Sequence, residues 1–139
     1  MIVLDASAGL SIAQNSQTGR SLRLLIGKDE VIIAPEFFML EVTNASWKYV
    51  HAGVYDTERA KTLMHNTLAL VNCYVPASDL MDEVFAEACH LNHSVYDITY
   101  IVLARRHAAT LMTCDAKMQD MCAKAGVNCV EHADLNECS

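Results

Sequence analysis

At 139 residues, 53% of them hydrophobic and 19% charged, the chain is long and apolar enough for one buried core, and its composition excludes a disordered polymer. A net charge of −7, from 10 basic and 17 acidic side chains, excludes a protein that grips nucleic acid by bulk positive charge. No apolar run approaches the roughly 20 residues needed to cross a bilayer, and the N-terminus carries no basic segment followed by an apolar core, so a cytoplasmic protein is expected.

Residues 1–4 (MIVL) form a short continuous apolar run, the pattern of a strand covered on both faces, and end on Asp5. Helices are expected over about 7–14 and 18–27. VIIA at 31–34 reads as a second strand, closed by Pro35. A helix from Glu36 to about His51 follows, with Phe37, Leu40, Glu41 and Asn44 sharing a face and Gly53 supplying a stop. Asp56 or Thr57 caps the next helix, to about Ala69, before the strand-like VNCYV at 71–75 and its closing Pro76. Ser78 or Asp79 caps a helix to about Asn92, and another runs from Tyr96 to His107. TLMT at 110–113 is a strand, Ala116–Ala125 a helix ended by Gly126, and VNCV at 127–130 a last short strand. The tail from about 131 is expected to be loosely ordered, and no repeat or linker divides the chain, so one domain over 1–139 is expected.

Short apolar strands separated by amphipathic helices call for a three-layer α/β/α fold with a central, mostly parallel sheet of about five short strands. In such sheets ligands bind beyond the carboxyl ends of the strands, where the winding direction reverses. Asp5 directly follows the first strand, and Asp115 follows the strand at 110–113 with only Cys114 between. Asp is also a preferred N-cap, and Asp5, Asp97 and Asp115 each stand just before a helical stretch, so capping is the plain alternative for each. Glu41 falls mid-helix, where capping does not explain it, and a surface Glu lying along an apolar face is its plain alternative. Asp97 opens a stripe with Tyr100, Ile101 and Ala104 that packs inward. Four carboxylates gathered at one sheet end repel each other, at about 4 kcal/mol for a close pair at an effective dielectric of 20. Protonation relieves that repulsion, and so does a hard divalent cation; oxygen-only ligands favour Mg²⁺ or Mn²⁺ over zinc.

Other chemistries find less support. Six cysteines (Cys73, Cys89, Cys114, Cys122, Cys129, Cys138) include no Cys-x-x-Cys pair, and several lie in apolar stretches as small hydrophobes. His90 and His93 are spaced i, i+3 but have no acid partner in register, and His51, His65, His107 and His132 offer no better cluster. Neither a GxxxxGK[ST] loop nor a GxGxxG turn is present. A dehalogenase-like phosphatase needs a second Asp two places after the first, where Ser7 stands, and a receiver domain needs paired acids at the first strand.

Asp5 in IVLDAS, Glu41 in APEFFMLEVTNASWK, Asp97 in HSVYDITYIVLARRH and Thr113-Cys114-Asp115 in LMTCDAK, in this order and spacing, resemble the PIN-domain nucleases over nearly the whole chain. The resemblance implies a metal-dependent ribonuclease in which Asp5, Glu41, Asp97 and Asp115 form the acidic quartet that holds Mg²⁺ or Mn²⁺. It implies Thr113 and Asn44 as supporting groups, and cleavage that leaves a 5′-phosphate and a 3′-hydroxyl. Small members of this length resemble the toxin half of VapBC-type toxin–antitoxin pairs, which implies RNA as substrate, an antitoxin partner and a homodimer. Lys48 and Lys117, with Arg105 and Arg106, are the candidate cations for drawing substrate to an acidic protein, against ordinary surface roles. Two rival readings keep the fold. One is a non-catalytic interaction domain using an apolar patch such as Trp47, Tyr49 and Val50; the other is a different Mg²⁺-dependent phosphohydrolase.

Overall fold

The computed structural model describes residues 1–130. The expected loose tail, and Cys138 and His132 with it, lie outside the described residues. Four strands form one all-parallel sheet in the order β3-β2-β1-β4: β1 (Ile2–Leu4), β2 (Ile32–Pro35), β3 (Cys73–Val75) and β4 (Thr110–Met112). The fifth strand expected at 127–130 is reduced to a single bridge, Leu111 with Cys129, because Leu111 alone offers it backbone partners. Pro35 ends β2 from inside it rather than just beyond; its missing N–H costs nothing at a strand end.

Seven α-helices connect the strands among the described residues: α1 (Ala6–Ala13), α2 (Gln17–Leu25), α3 (Phe38–His51), α4 (Thr57–Leu68), α5 (Met81–Leu91), α6 (Val95–Arg106) and α7 (Ala116–Ala125). They divide into two groups. Helices α1 to α4 contact one another, whereas α5 and α7 both contact α6, which itself lies on β1, β2 and β4. The result is the expected three-layer α/β/α arrangement. Helix α6 is its centre: Ile98, Tyr100, Ile101, Val102, Leu103 and Ala104 are all buried, together with Val3, Leu4 and Leu111 of the sheet.

Two helix starts differ from the sequence reading. Helix α3 begins at Phe38, not Glu36, because Glu36 donates its backbone N–H to Val75 O at 3.0 Å and so prolongs the sheet ladder. The expected Ser78 or Asp79 cap is absent. Ala77–Asp79 instead form a 3₁₀ turn after Pro76, and α5 starts behind Leu80 with no side-chain cap. Asp56 does cap α4, accepting from Arg59 N at 2.8 Å, and Gly53 and Gly126 adopt the left-handed backbone expected of stops, at φ 73° and 70°.

The sheet order fixes where a site can form. From β1 the chain winds outward through β2 to β3, then returns to place β4 on the other side of β1. The winding direction reverses between β1 and β4, and the crevice beyond their carboxyl ends is the ligand position for such sheets.

Candidate active site

Asp5 emerges from β1 directly into that crevice. Its backbone N–H still pairs with Met112 O of β4, at 3.2 Å, so the two strand ends are tied at the point where the acids appear. The capping alternative is true for Asp5 but incomplete. Its Oδ1 accepts from Ala8 N at 2.9 Å and from Ser7 Oγ at 2.7 Å, while Oδ2 accepts from the buried Thr113 hydroxyl. A cap alone does not require burial, and Asp5 is only 5% exposed. Desolvation outweighs the three donors and raises its pKa, and the nearby charge of Asp115 pushes the same way.

Thr113, expected as a supporting group, links the two strand-end acids. Its hydroxyl donates to Asp5 and accepts the backbone N–H of Asp115 at 3.0 Å. Asp115 caps α7, with Oδ1 accepting from Lys117 N at 2.9 Å, and its exposed carboxylate looks toward Asp5 and Asp97 closely enough to raise the pKa of both. Cys114 between them points a half-buried thiol into the same region, where burial and the charge of Asp5 push its pKa up and keep it protonated.

Asp97 is not an N-cap. Ser94 holds that position, without a side-chain bond, and Asp97 lies in the first turn of α6. Burial raises its pKa, and Asp115 adds to the rise against the opposing charges of His93 and Lys117. Glu41 is likewise in the first turn of α3 rather than mid-helix. The residue is exposed as a whole, yet its carboxylate end is turned inward, where Tyr100 Oη donates to Oε1 at 2.6 Å. Partial burial, with Asp5 and Asp97 nearby, raises its pKa despite that hydrogen bond.

The four predicted acids therefore share one electrostatic neighbourhood. They carry no Lys or Arg salt bridge among the described residues; the one ion-pair contact is His93 Nδ1 to Asp97 Oδ2 at 3.7 Å. As donors they are all carboxylate oxygens, with three of the four pKa values raised, a chemistry that suits a hard divalent cation. Among the described residues no three His, Cys, Asp or Glu side chains stand close enough together to hold a metal ion as they are: Asp5 is fixed by its hydrogen bonds, whereas Glu41 and Asp97 are carried by two different helices.

The remaining predicted residues divide. Lys117 is near enough to lower the pKa of Asp97; Lys48 is exposed on α3, and the side chain of Asn44, also exposed, makes no hydrogen bond among the described residues. Arg105 and Arg106 turn away from the acids to Glu83 and Glu87 of α5, at 3.1, 3.2 and 2.6 Å. The statement that His93 lacks an acid partner is overturned: the turn between α5 and α6 brings it to Asp97, four residues on. Ser7, Tyr100 and His93 are the site residues that sequence reasoning missed. Ser7 at i+2 from Asp5 carried a signal, since a hydroxyl there suits a turn around a carboxylate; it also accepts Cys114 N at 3.0 Å, bridging the β1 and β4 ends.

Residues 2–124 match the PIN domain family, and the chain belongs to it. Among curated relatives, Ribonuclease VapC3 from Pyrobaculum aerophilum is 21% identical over 121 residues, which cover 86% of this chain and 92% of that protein. A crystal structure of a protein from the same archaeon has the same fold, with a TM-score of 0.72 at 23% identity, covering 99% of this chain and 88% of that one.

Proposed function

We infer, from membership of the PIN domain family, that the protein is a metal-dependent ribonuclease acting at the crevice between β1 and β4. The observation that carries this reading is Asp5: a buried carboxylate at the topological switch point, in one electrostatic neighbourhood with three further acids, none of them in a Lys or Arg salt bridge among the described residues. Uncompensated buried charge is unfavourable for folding, and titratable groups perturbed in this way cluster at functional sites.

Asp5, Glu41, Asp97 and Asp115 would hold Mg²⁺ or Mn²⁺. When bound, the cation supplies a Lewis acid for the scissile phosphate and a source of hydroxide at neutral pH. The chain's own residues do the rest. Ser7, Ala8 and Thr113 fix Asp5, so that its orientation does not change when charge arrives. Lys117 is the cation best placed to meet a phosphate, since its charge already acts on Asp97. Water is the attacking group in this reading, and the products carry a 5′-phosphate and a 3′-hydroxyl.

RNA as substrate is supported by the name of the VapC3 relative, a ribonuclease; the same reading makes the protein the toxin of a toxin–antitoxin pair acting in the cytoplasm. No helix among the described residues is long and apolar enough to cross a membrane. A homodimer and an antitoxin partner find support in apolar surface. Met81, Phe85, Val95 and Tyr96 are exposed and line, with Phe37 and Val84, a groove of about 340 Å³ between α5 and α6. That groove also favours the second reading, an interaction domain without catalysis. Trp47 of the expected patch is exposed but stacks on His51 at 5.0 Å, while Tyr49 is half-buried against Tyr55.

Incubation of the purified protein with structured RNAs, with and without Mn²⁺, decides between the two. The nuclease reading expects Mn²⁺-dependent cleavage that disappears in Asp5→Asn; an interaction domain cuts nothing in either case.

A further inference from the structure

We propose that Tyr100 is the positioning residue that holds Glu41 in the acidic cluster and leaves its second carboxylate oxygen to a divalent cation. This rests on the metal-site reading above and adds to it a residue that touches neither substrate nor metal.

Glu41 is held by a single hydrogen bond, and Asp97 only by its ion pair with His93 at 3.7 Å. Asp5 is buried and accepts three protein donors, and Asp115 is tied to the first turn of its own helix. Glu41 extends from the exposed side of α3 on a side chain with three rotatable torsions, and the charges of Asp5 and Asp97 repel its carboxylate. One contact opposes that: the Tyr100 hydroxyl on Oε1 at 2.6 Å, a short hydrogen bond to a charged acceptor. Oε2 accepts no hydrogen bond among the described residues.

The phenol is in turn fixed. Tyr100 is 2% exposed, and its ring meets Phe37 edge-on, with centroids 5.3 Å apart and planes at 77°. Phe37 lies one helical turn before Glu41, whose backbone N–H donates to Phe37 O at 3.0 Å. Phe37, at the N-cap of α3, and Glu41, in its first turn, therefore meet the same tyrosine of α6: Phe37 takes the ring, Glu41 the hydroxyl. The contact aligns the two helices and at the same time brings the carboxylate carried by α3 beside Asp97 of α6. Partners of this kind, one step removed from the ion, commonly change metal affinity by about 10- to 100-fold.

The test is a double-mutant cycle on the full-length chain stripped with EDTA, in which Mn²⁺ binding is read from the electron paramagnetic resonance signal of the free ion. Y100F keeps the ring and its packing on Phe37 but removes the donor. Glu41→Asp keeps the charge but withdraws it from the phenol. The expected result is a loss of Mn²⁺ affinity of about tenfold or more in each variant. The double variant is expected to be no weaker than either one, with melting temperatures in EDTA close to that of the parent. Parent-like Mn²⁺ affinity in Y100F overturns the assignment, as do losses that multiply in the double variant, because Tyr100 would then act independently of Glu41. An unfolded Y100F leaves E41D to decide: parent-like affinity there overturns the assignment equally. Absence of saturable Mn²⁺ binding by the parent chain overturns the metal-site reading itself, a result distinct from parent-like binding by Y100F.

Discussion

The two ends of α6 treat charge in opposite ways. At its C-terminal end Arg105 and Arg106 are paired with Glu83 and Glu87 of α5, and the pairing holds the Glu83 carboxyl below its usual range. At its N-terminal end Asp97 lies among Glu41, Asp5 and Asp115 with no Lys or Arg salt bridge, and the carboxyls that shift are displaced upward. The two arginines eight and nine residues along the same helix face Glu83 and Glu87 instead of the cluster. The paired end is an ordinary solvent-facing network of the kind that contributes little to stability. The unpaired end costs stability, and a bound cation would convert that cost into affinity.

The largest expected effect comes from breaking the unpaired end. Asp5→Asn is close in shape and can keep the Ala8 and Ser7 hydrogen bonds, so it is expected to fold while Mn²⁺-dependent RNA cleavage falls by about 100-fold or more, read from initial rates. Next in size is the gain from filling it. Mn²⁺ at a hundred times its dissociation constant is expected to stabilise the protein by about 2.7 kcal/mol, seen as a rise in melting temperature that Asp97→Asn diminishes.

Proton linkage separates the ends further. A carboxyl whose pKa is higher in the folded state than in the unfolded chain favours folding fully below its unfolded value, and that contribution is lost as pH climbs through the folded one. Asp5 and Asp97 start from 3.8 and Glu41 from 4.5, so in EDTA the melting temperature contributed by this end is expected to fall as pH rises from about 4. Asp5→Asn flattens that fall. Glu83 has the opposite sign: its contribution is present above 4.5 and is lost as pH drops through its lowered folded value. The smallest effect belongs to Arg106→Ala, which is expected to cost about 0.5–1 kcal/mol at low salt, less at high salt, with cleavage unchanged. A large loss of cleavage in that variant would mean that the two ends are not separate.

Legibility in the sequence follows the same division. The strands were readable because each is a continuous apolar run, and Asp5 and Asp115 were readable because each follows one. Helix α6 was readable, but the orientation of its charged end was not: whether Arg105 and Arg106 face the acids or α5 depends on a partner helix far away in the chain. Glu41 drew attention as a carboxylate that capping did not explain, and although it proved to lie in the first turn, its partner is indeed long-range. Tyr100 was visible only as a member of an inward stripe, since an aromatic on a buried face is fully accounted for by packing until its hydroxyl finds a neighbour. Ser94, three residues before Asp97, stands at the N-cap position without a side-chain bond, so the cap alternative for Asp97 fails because the helix starts earlier than Asp97.

Because β4 inserts on the far side of β1, the residues that complete the crevice come near the end of the chain, with Thr113 lying 108 positions after the Asp5 it binds. A nascent polypeptide emerging from the ribosome holds Asp5 long before it holds Thr113 or Asp115. Until β4 has been made, β1 has a bare edge and the acids have nowhere to meet. Any hydrolytic power would thus stay dormant until then, a delay written into strand order alone.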